Sequence, residues 1–223
     1  MQLPAHRQRG AANRADAFGR RPDRVATDAA NEPRRGSSDS TPARDTILSY
    51  RSVLESLYLL DQMPGWAPTR NHFAKLGTSP KHHLVDPALA ARLLGVDAAA
   101  LIRGESAGPV VARDGTLLGA LFESLVTLSA RVYAQAGGAQ VRHFRTRDGR
   151  HEVDLIVERD DQRVVALEVK LASSPSPASL DHLLWLKDKL GDELLDAAVI
   201  TTGQHAFRRS DGIAVIPAAL LGP

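Results

Sequence analysis

Cysteine is absent from the 223 residues of the chain. That excludes disulfides, thiolate metal sites and a cysteine nucleophile, and it fits a reducing cytoplasm, the expected location. Aromatic residues make up only 4%, so a core has to be built from Leu, Val, Ile and Ala. Lysine does not occur before Lys75, and arginine carries nearly all the positive charge. No Gly-x-x-x-x-Gly-Lys-Ser/Thr loop is present, so no ATP site of the phosphate-cradling kind is expected. A serine-hydrolase elbow is missing too. No apolar run of bilayer length stands out, and no charged start leads into an apolar secretory core; neither a membrane partner nor export is expected.

What remains is an ordinary globular composition. Hydrophobic residues are 43% and charged residues 24%, and the length suits one large domain, or one domain with a poorly packed extension. The net charge of +2 is too small to identify a nucleic-acid partner, although the isoelectric point of about 9.1 leans that way. Residues 1–40 carry isolated Leu3, Phe18 and Val25 among Arg, Ala, Asp, Asn, Ser and Gly. Without helical or strand period this stretch is expected to be disordered, and its acids argue against an organellar transit peptide.

Order is expected from about Thr41. Ile47, Tyr50, Leu54, Leu57 and Tyr58 recur at helical spacing, which predicts a helix with one buried face. Pro80 to Pro87 offers a short strand ending at Asp86-Pro87, a dipeptide that can open a short helix over Ala88 to Leu94, stopped at Gly95. A long helix is predicted from about Gly115 to Ala136. Its broad apolar face consists of Leu117, Leu118, Leu121, Phe122, Leu125, Val126, Leu128 and Val132, with Gly137-Gly138 as its end. Three strands should follow as a meander, Val141–Arg147, His151–Glu158 and Arg163–Leu171, the first turn signalled by Asp148-Gly149. A helix near Ser179–Leu190, a buried strand Ala197–Thr202 and a short strand Ile213–Ile216 complete an α/β chain.

The residues that could carry chemistry are Glu123, Asp154, Glu168 and Lys170. Acids alternate with apolar residues in Glu152-Val153-Asp154-Leu155, and Glu168 and Lys170 share one face of the next strand. Antiparallel neighbours can set Asp154 opposite Glu168. Carboxylates so placed repel unless a divalent cation or a proton lies between them. Mg²⁺ is the candidate cofactor, because it prefers hard oxygen ligands and retains waters, one of which Lys170 could help to attack a phosphodiester. Glu123, beside Phe122 in an apolar helix, supplies the third carboxylate. The plainer reading is a solvated Glu168–Lys170 ion pair and an Asp154 that caps a turn or holds a neighbouring arginine. His82 and His83, as strand neighbours, point to opposite faces and do not suit a shared metal. Arg142, His143, Arg145 and Arg147 form a basic strand that could meet phosphate, but an ordinary solvated strand edge is the more frequent explanation. Trp66 and Trp185 read as core or interface anchors.

The order helix with Glu, strand with Asp, strand with Glu-x-Lys, helix is that of a PD-(D/E)XK restriction-endonuclease-like core. In order along the chain stand Arg44 to Tyr50 with Leu54-Glu55, Pro64 to Pro68, Ser79 to Ala90, Gly119 to Val126, His151 to Asp154, Ala166 to Lys170, Arg208 to Pro217 and Leu221 to Pro223. Together they resemble the C-terminal domain of unknown function found behind the ATPase core of a large prokaryotic AAA+-like family. The resemblance implies a partial winged-helix segment over 41–95 and a nuclease-like domain over 96–223. In the nuclease reading of these residues, Glu123, Asp154 and Glu168 hold the metal and Lys170 positions the attacking water. Members usually carry a P-loop ATPase domain before the position of Thr41; here residues 1–40 take its place, and ATPase activity is not expected. Three functions follow as expectations: Mg²⁺-dependent cleavage of nucleic acid, binding of DNA or a protein partner without cleavage, or an inert ATPase fragment.

Overall fold

The computed structural model describes residues 43–68, 79–103 and 116–222. The expected disorder of residues 1–40 lies outside them. Five helices are described: α1 (Arg44–Ser56), α2 (Pro87–Leu93), α3 (Ala98–Arg103), α4 (Thr116–Ala136) and α5 (Asp181–Leu190). Nine strands accompany them. β1 (Leu60–Met63), β2 (Gly65–Trp66) and β3 (Lys81–Leu84) come first, then β4 (Gln140–Arg145), β5 (Glu152–Glu158) and β6 (Val164–Val169). β7 (Leu194–Thr201), β8 (Phe207–Arg208) and β9 (Ala214–Pro217) close the chain.

Seven strands form one mixed sheet in the order β2-β4-β5-β6-β7-β9-β8, while β1 and β3 form a separate antiparallel pair. The middle is the expected meander, β4-β5-β6, antiparallel throughout. Its first turn is fixed chemically: Asp148 Oδ1 accepts from Thr146 Oγ1 and from the Arg150 amide, and Gly149 takes the left-handed conformation at φ +68°. β7 then joins β6 in parallel, which a crossover through α5 makes possible. The result is an α/β fold with a helix on each side of the sheet.

Two apolar clusters hold those layers. Leu180, Leu183, Leu186 and Leu190 around α5 pack on Phe144, Val153, Ile156, Val164, Ala166 and Val199. On the other side, Val126, Ala130 and Ala134 of α4 pack on Val141, Leu155, Val169 and Ile200. The small side chains of α4 bring it close to the sheet. Its predicted broad apolar face is therefore only partly buried: Leu125, Leu128 and Val132 face outward. Leu117–Ala136 is also long and apolar enough to cross a membrane by length and composition, which corrects the expectation of no such run. Within this fold the helix buries Val126, Ala130 and Ala134 against the sheet and carries Glu123 and Arg131.

Two further expectations need correcting. The face of α1 is not buried: Tyr50 is 66% and Tyr58 84% exposed, and no residue of α1 is buried. Helical spacing shows that a stripe exists, not that something covers it. The basic strand β4 is not an edge, since β2 and β5 flank it. Arg142 pairs with Glu158 at 2.8 Å, and His143 is buried. The start of α2 is as expected, with Asp86 Oδ1 accepting from the Ala88 amide and Pro87 in the first turn. Trp66 lies in the core, and Trp185 packs against it.

Gly203 follows β7 where the backbone passes the segment leaving β6. A Cβ there would stand 2.5 Å from the Ser173 carbonyl oxygen. Gly203→Ala is therefore expected to lower the unfolding free energy by about 1–3 kcal/mol. Urea denaturation measures this, and a stability equal to the parent's would contradict the close approach.

Candidate functional site

The sheet opens between β5 and β6. Their ladder runs from Glu158↔Val164 to Leu155↔Leu167, and one further step in register sets Asp154 opposite Glu168. There β6 leaves β5 but stays with β7 through Glu168↔Val199 and Val169↔Ile200. The Val169 amide, released from β5's backbone, donates instead to Asp154 Oδ2 at 2.8 Å. Asp154 is thereby held by a backbone donor with its other oxygen left for different work.

A bulge on the opposite side of β5 sets its direction. Arg142 pairs with Ile156 and Phe144 with Val153, so Asp154 and Leu155 together stand against His143. Strict alternation would send Val153 and Leu155 to the same side. Instead Val153 packs in the α5 cluster and Leu155 in the α4 cluster. The break in alternation falls at Asp154, and bulges of this kind re-aim side chains beside working sites.

Around Asp154 the acids gather. Glu123 comes from α4, and Glu152 lies two residues before Asp154 on β5. Between them is a group that the sequence reading missed: Lys81, the first residue of β3. Its Nζ lies 3.1 Å from Glu152 Oε1, 3.2 Å from Glu123 Oε1 and 3.8 Å from Asp154 Oδ1. Burial alone would lower the Lys81 pKa, but the carboxylates of Glu123, Asp154 and Glu152 outweigh it and raise it well above the ordinary lysine range. In the sequence Glu152 stands out only by its place in the strand alternation. Lys81 carried no signal, because nothing local marks a lysine forty residues upstream as facing an acidic cluster.

Glu168 is more deeply placed, at 4% exposure. Its Oε1 meets Lys170 Nζ at 2.7 Å, whereas Oε2 is buried without a hydrogen-bond partner among the described residues. This is not the solvated ion pair of the plainer reading, since only the lysine end is open. Burial first, and the nearby Asp154 charge second, raise the Glu168 pKa; the same two causes raise that of Glu123, against the pull of Lys81. The four expected residues are thus linked. Asp154 and Lys81 act on both glutamates, and Lys170 pairs with Glu168.

The histidines behind Lys81 have separate tasks. His82 Nε2 lies 3.5 Å from Glu55 Oε1, His83 Nδ1 lies 3.1 Å from Ser124 Oγ, and His143 Nε2 lies 3.0 Å from the Ser79 carbonyl oxygen. Burial, reinforced by the Lys81 charge, lowers the pKa of both His83 and His143 to about 4. No group of three or more His, Cys, Asp or Glu side chains arranged to hold a metal occurs among the described residues.

Residues 118–221 match the model of a domain of unknown function, DUF4143, and residues 34–100 match that of a second, DUF8612. The first match contains Glu123, Glu152, Asp154, Glu168 and Lys170, while Lys81 lies in the second. No curated protein and no solved structure matches the chain.

Burial of these groups makes stability depend on pH in two opposing ways. His83 and His143 bind protons more readily when unfolded, so between pH 6.5 and about 4 they lower stability as pH falls. Glu168 binds its proton more readily when folded, so it raises stability as pH falls toward its ordinary value of 4.5. Glu168→Gln removes only the second effect. Its unfolding free energy is expected to fall more steeply than the parent's from pH 6.5 to 4.5 in urea titrations. A profile parallel to the parent's would contradict the burial of a carboxylate at this position.

Proposed function

We propose that residues Glu123, Asp154, Glu168 and Lys170 form a PD-(D/E)XK-like site for Mg²⁺-dependent cleavage of phosphodiesters in nucleic acid. One observation carries the reading: just past the end of the β5–β6 ladder at Leu155↔Leu167, next to Asp154, Glu168 Oε2 is a buried acceptor without a partner among the described residues. The donors fit a hard cation, since every candidate is a carboxylate oxygen. Asp154, Glu168 and Glu123 would hold it. When bound, the ion would polarise the phosphate and neutralise developing charge.

The remaining work falls to the chain's own groups. The Val169 amide keeps Asp154 oriented. Lys170, whose side chain is half-open to solvent beside Glu168, is the group suited to orient an attacking water at its Nζ. The resemblance to a domain carried behind AAA+-like ATPases supports a cytoplasmic, ATPase-associated setting, with a winged-helix remnant in front. A second reading, a module that binds DNA or protein without cutting, is favoured by the Lys81 ammonium among Glu123, Glu152 and Asp154.

Cleavage assays on single- and double-stranded DNA and on RNA, with Mg²⁺ or Mn²⁺, separate the two. Asp154→Asn keeps an oxygen to accept the Val169 amide but removes the charge. It is expected to reduce cutting to background with an unchanged circular dichroism spectrum. Lys170→Met should suppress cutting while leaving Mn²⁺ affinity at or above the parent's. Cutting that persists in both variants would place the chemistry elsewhere. Nucleic-acid binding by the parent without any cutting would establish the second reading.

A further inference from the structure

Lys81 belongs to neither strand that carries the acidic motif, yet it is the best-coordinated cation at the site. Its side chain is only 14% exposed. An ammonium so placed has given up most of its water, and three carboxylates replace it at 3.1, 3.2 and 3.8 Å. Two of them, Glu123 and Asp154, are also proposed ligands of the divalent cation.

Its backbone is anchored. β3 pairs with β1 through Met63↔Lys81, and Met63 is wholly buried. The next two side chains, His82 and His83, are buried as well, and His83 meets Ser124, the neighbour of Glu123 on α4. The strand therefore stays fixed to the helix, while the four-carbon Lys81 side chain can change rotamer.

We propose that Lys81 is the resident counter-ion of this site, holding Glu123 and Asp154 together without metal and swinging out when a divalent cation binds. This rests on the metal-site reading above. The segment ahead of α4 then sets the metal affinity of acids carried behind it. A positive charge within about 4 Å of a ligand carboxylate opposes a second cation strongly, enough to weaken binding on the order of tenfold or more.

Isothermal titration of the full chain with Mn²⁺ tests this, using the parent, Lys81→Met and Lys81→Arg. Lys81→Met is expected to bind roughly tenfold tighter or better, and to melt at a lower temperature than the parent until Mn²⁺ is added. Lys81→Arg, which keeps the charge, should bind no tighter than the parent. Equal affinity in the parent and a folded Lys81→Met would overturn the role of Lys81 and leave the metal reading standing. Absence of Mn²⁺ binding in both would overturn the two together. Amine acetylation of the parent, read by mass spectrometry, gives a check that needs no variant. Saturating Mn²⁺ should raise labelling of Lys81 relative to Lys187 and Lys189, and unchanged labelling at saturation would reject the exchange.

Discussion

Carboxylates brought together inside a sheet repel one another, and water cannot dissipate that repulsion when the groups are buried. Glu123, Glu152, Asp154 and Glu168 create this problem where β5 and β6 part. The surroundings answer it with a backbone amide on Asp154, an ammonium on Glu168 and a second ammonium amid the other three. Burial first, and the Asp154 charge second, still raise the pKa of Glu123 and Glu168 against those partners. A proton answers that repulsion, and so would the divalent cation proposed above.

The fold supplies the opening. A meander followed by a parallel strand gives β6 a different kind of neighbour on each side, so it can separate from β5 while β7 continues to hold it. The bulge at Asp154–Leu155 changes which layer the strand faces in midcourse. Apolar packing on both faces, Leu residues of α5 below and small residues of α4 above, makes that local irregularity affordable.

Much of this was legible in the residues. The meander, the turn at Asp148-Gly149 and the Asp86 cap follow from short-range rules of period and turn chemistry. What escaped the sequence depends on tertiary neighbours. The stripe on α1 carries Tyr50, Leu54 and Leu57 at helical spacing, but period says nothing about whether a partner layer exists. In α4 the leucines drew attention, while Ala130 and Ala134 make the close contact. β4 looked like a charged edge because pairing order cannot be read from charge. Lys81 was invisible for a related reason: its value comes from three carboxylates that are distant along the chain.

The proposed site calls for one divalent cation at the opening between β5 and β6. The most direct measurement is anomalous diffraction from crystals of the full chain equilibrated with Mn²⁺. The account predicts a peak about 2–2.3 Å from carboxylate oxygens of both Asp154 and Glu168, with Lys81 Nζ displaced from Glu123. A saturated crystal with no peak there, or with its manganese only at other carboxylates, would contradict it.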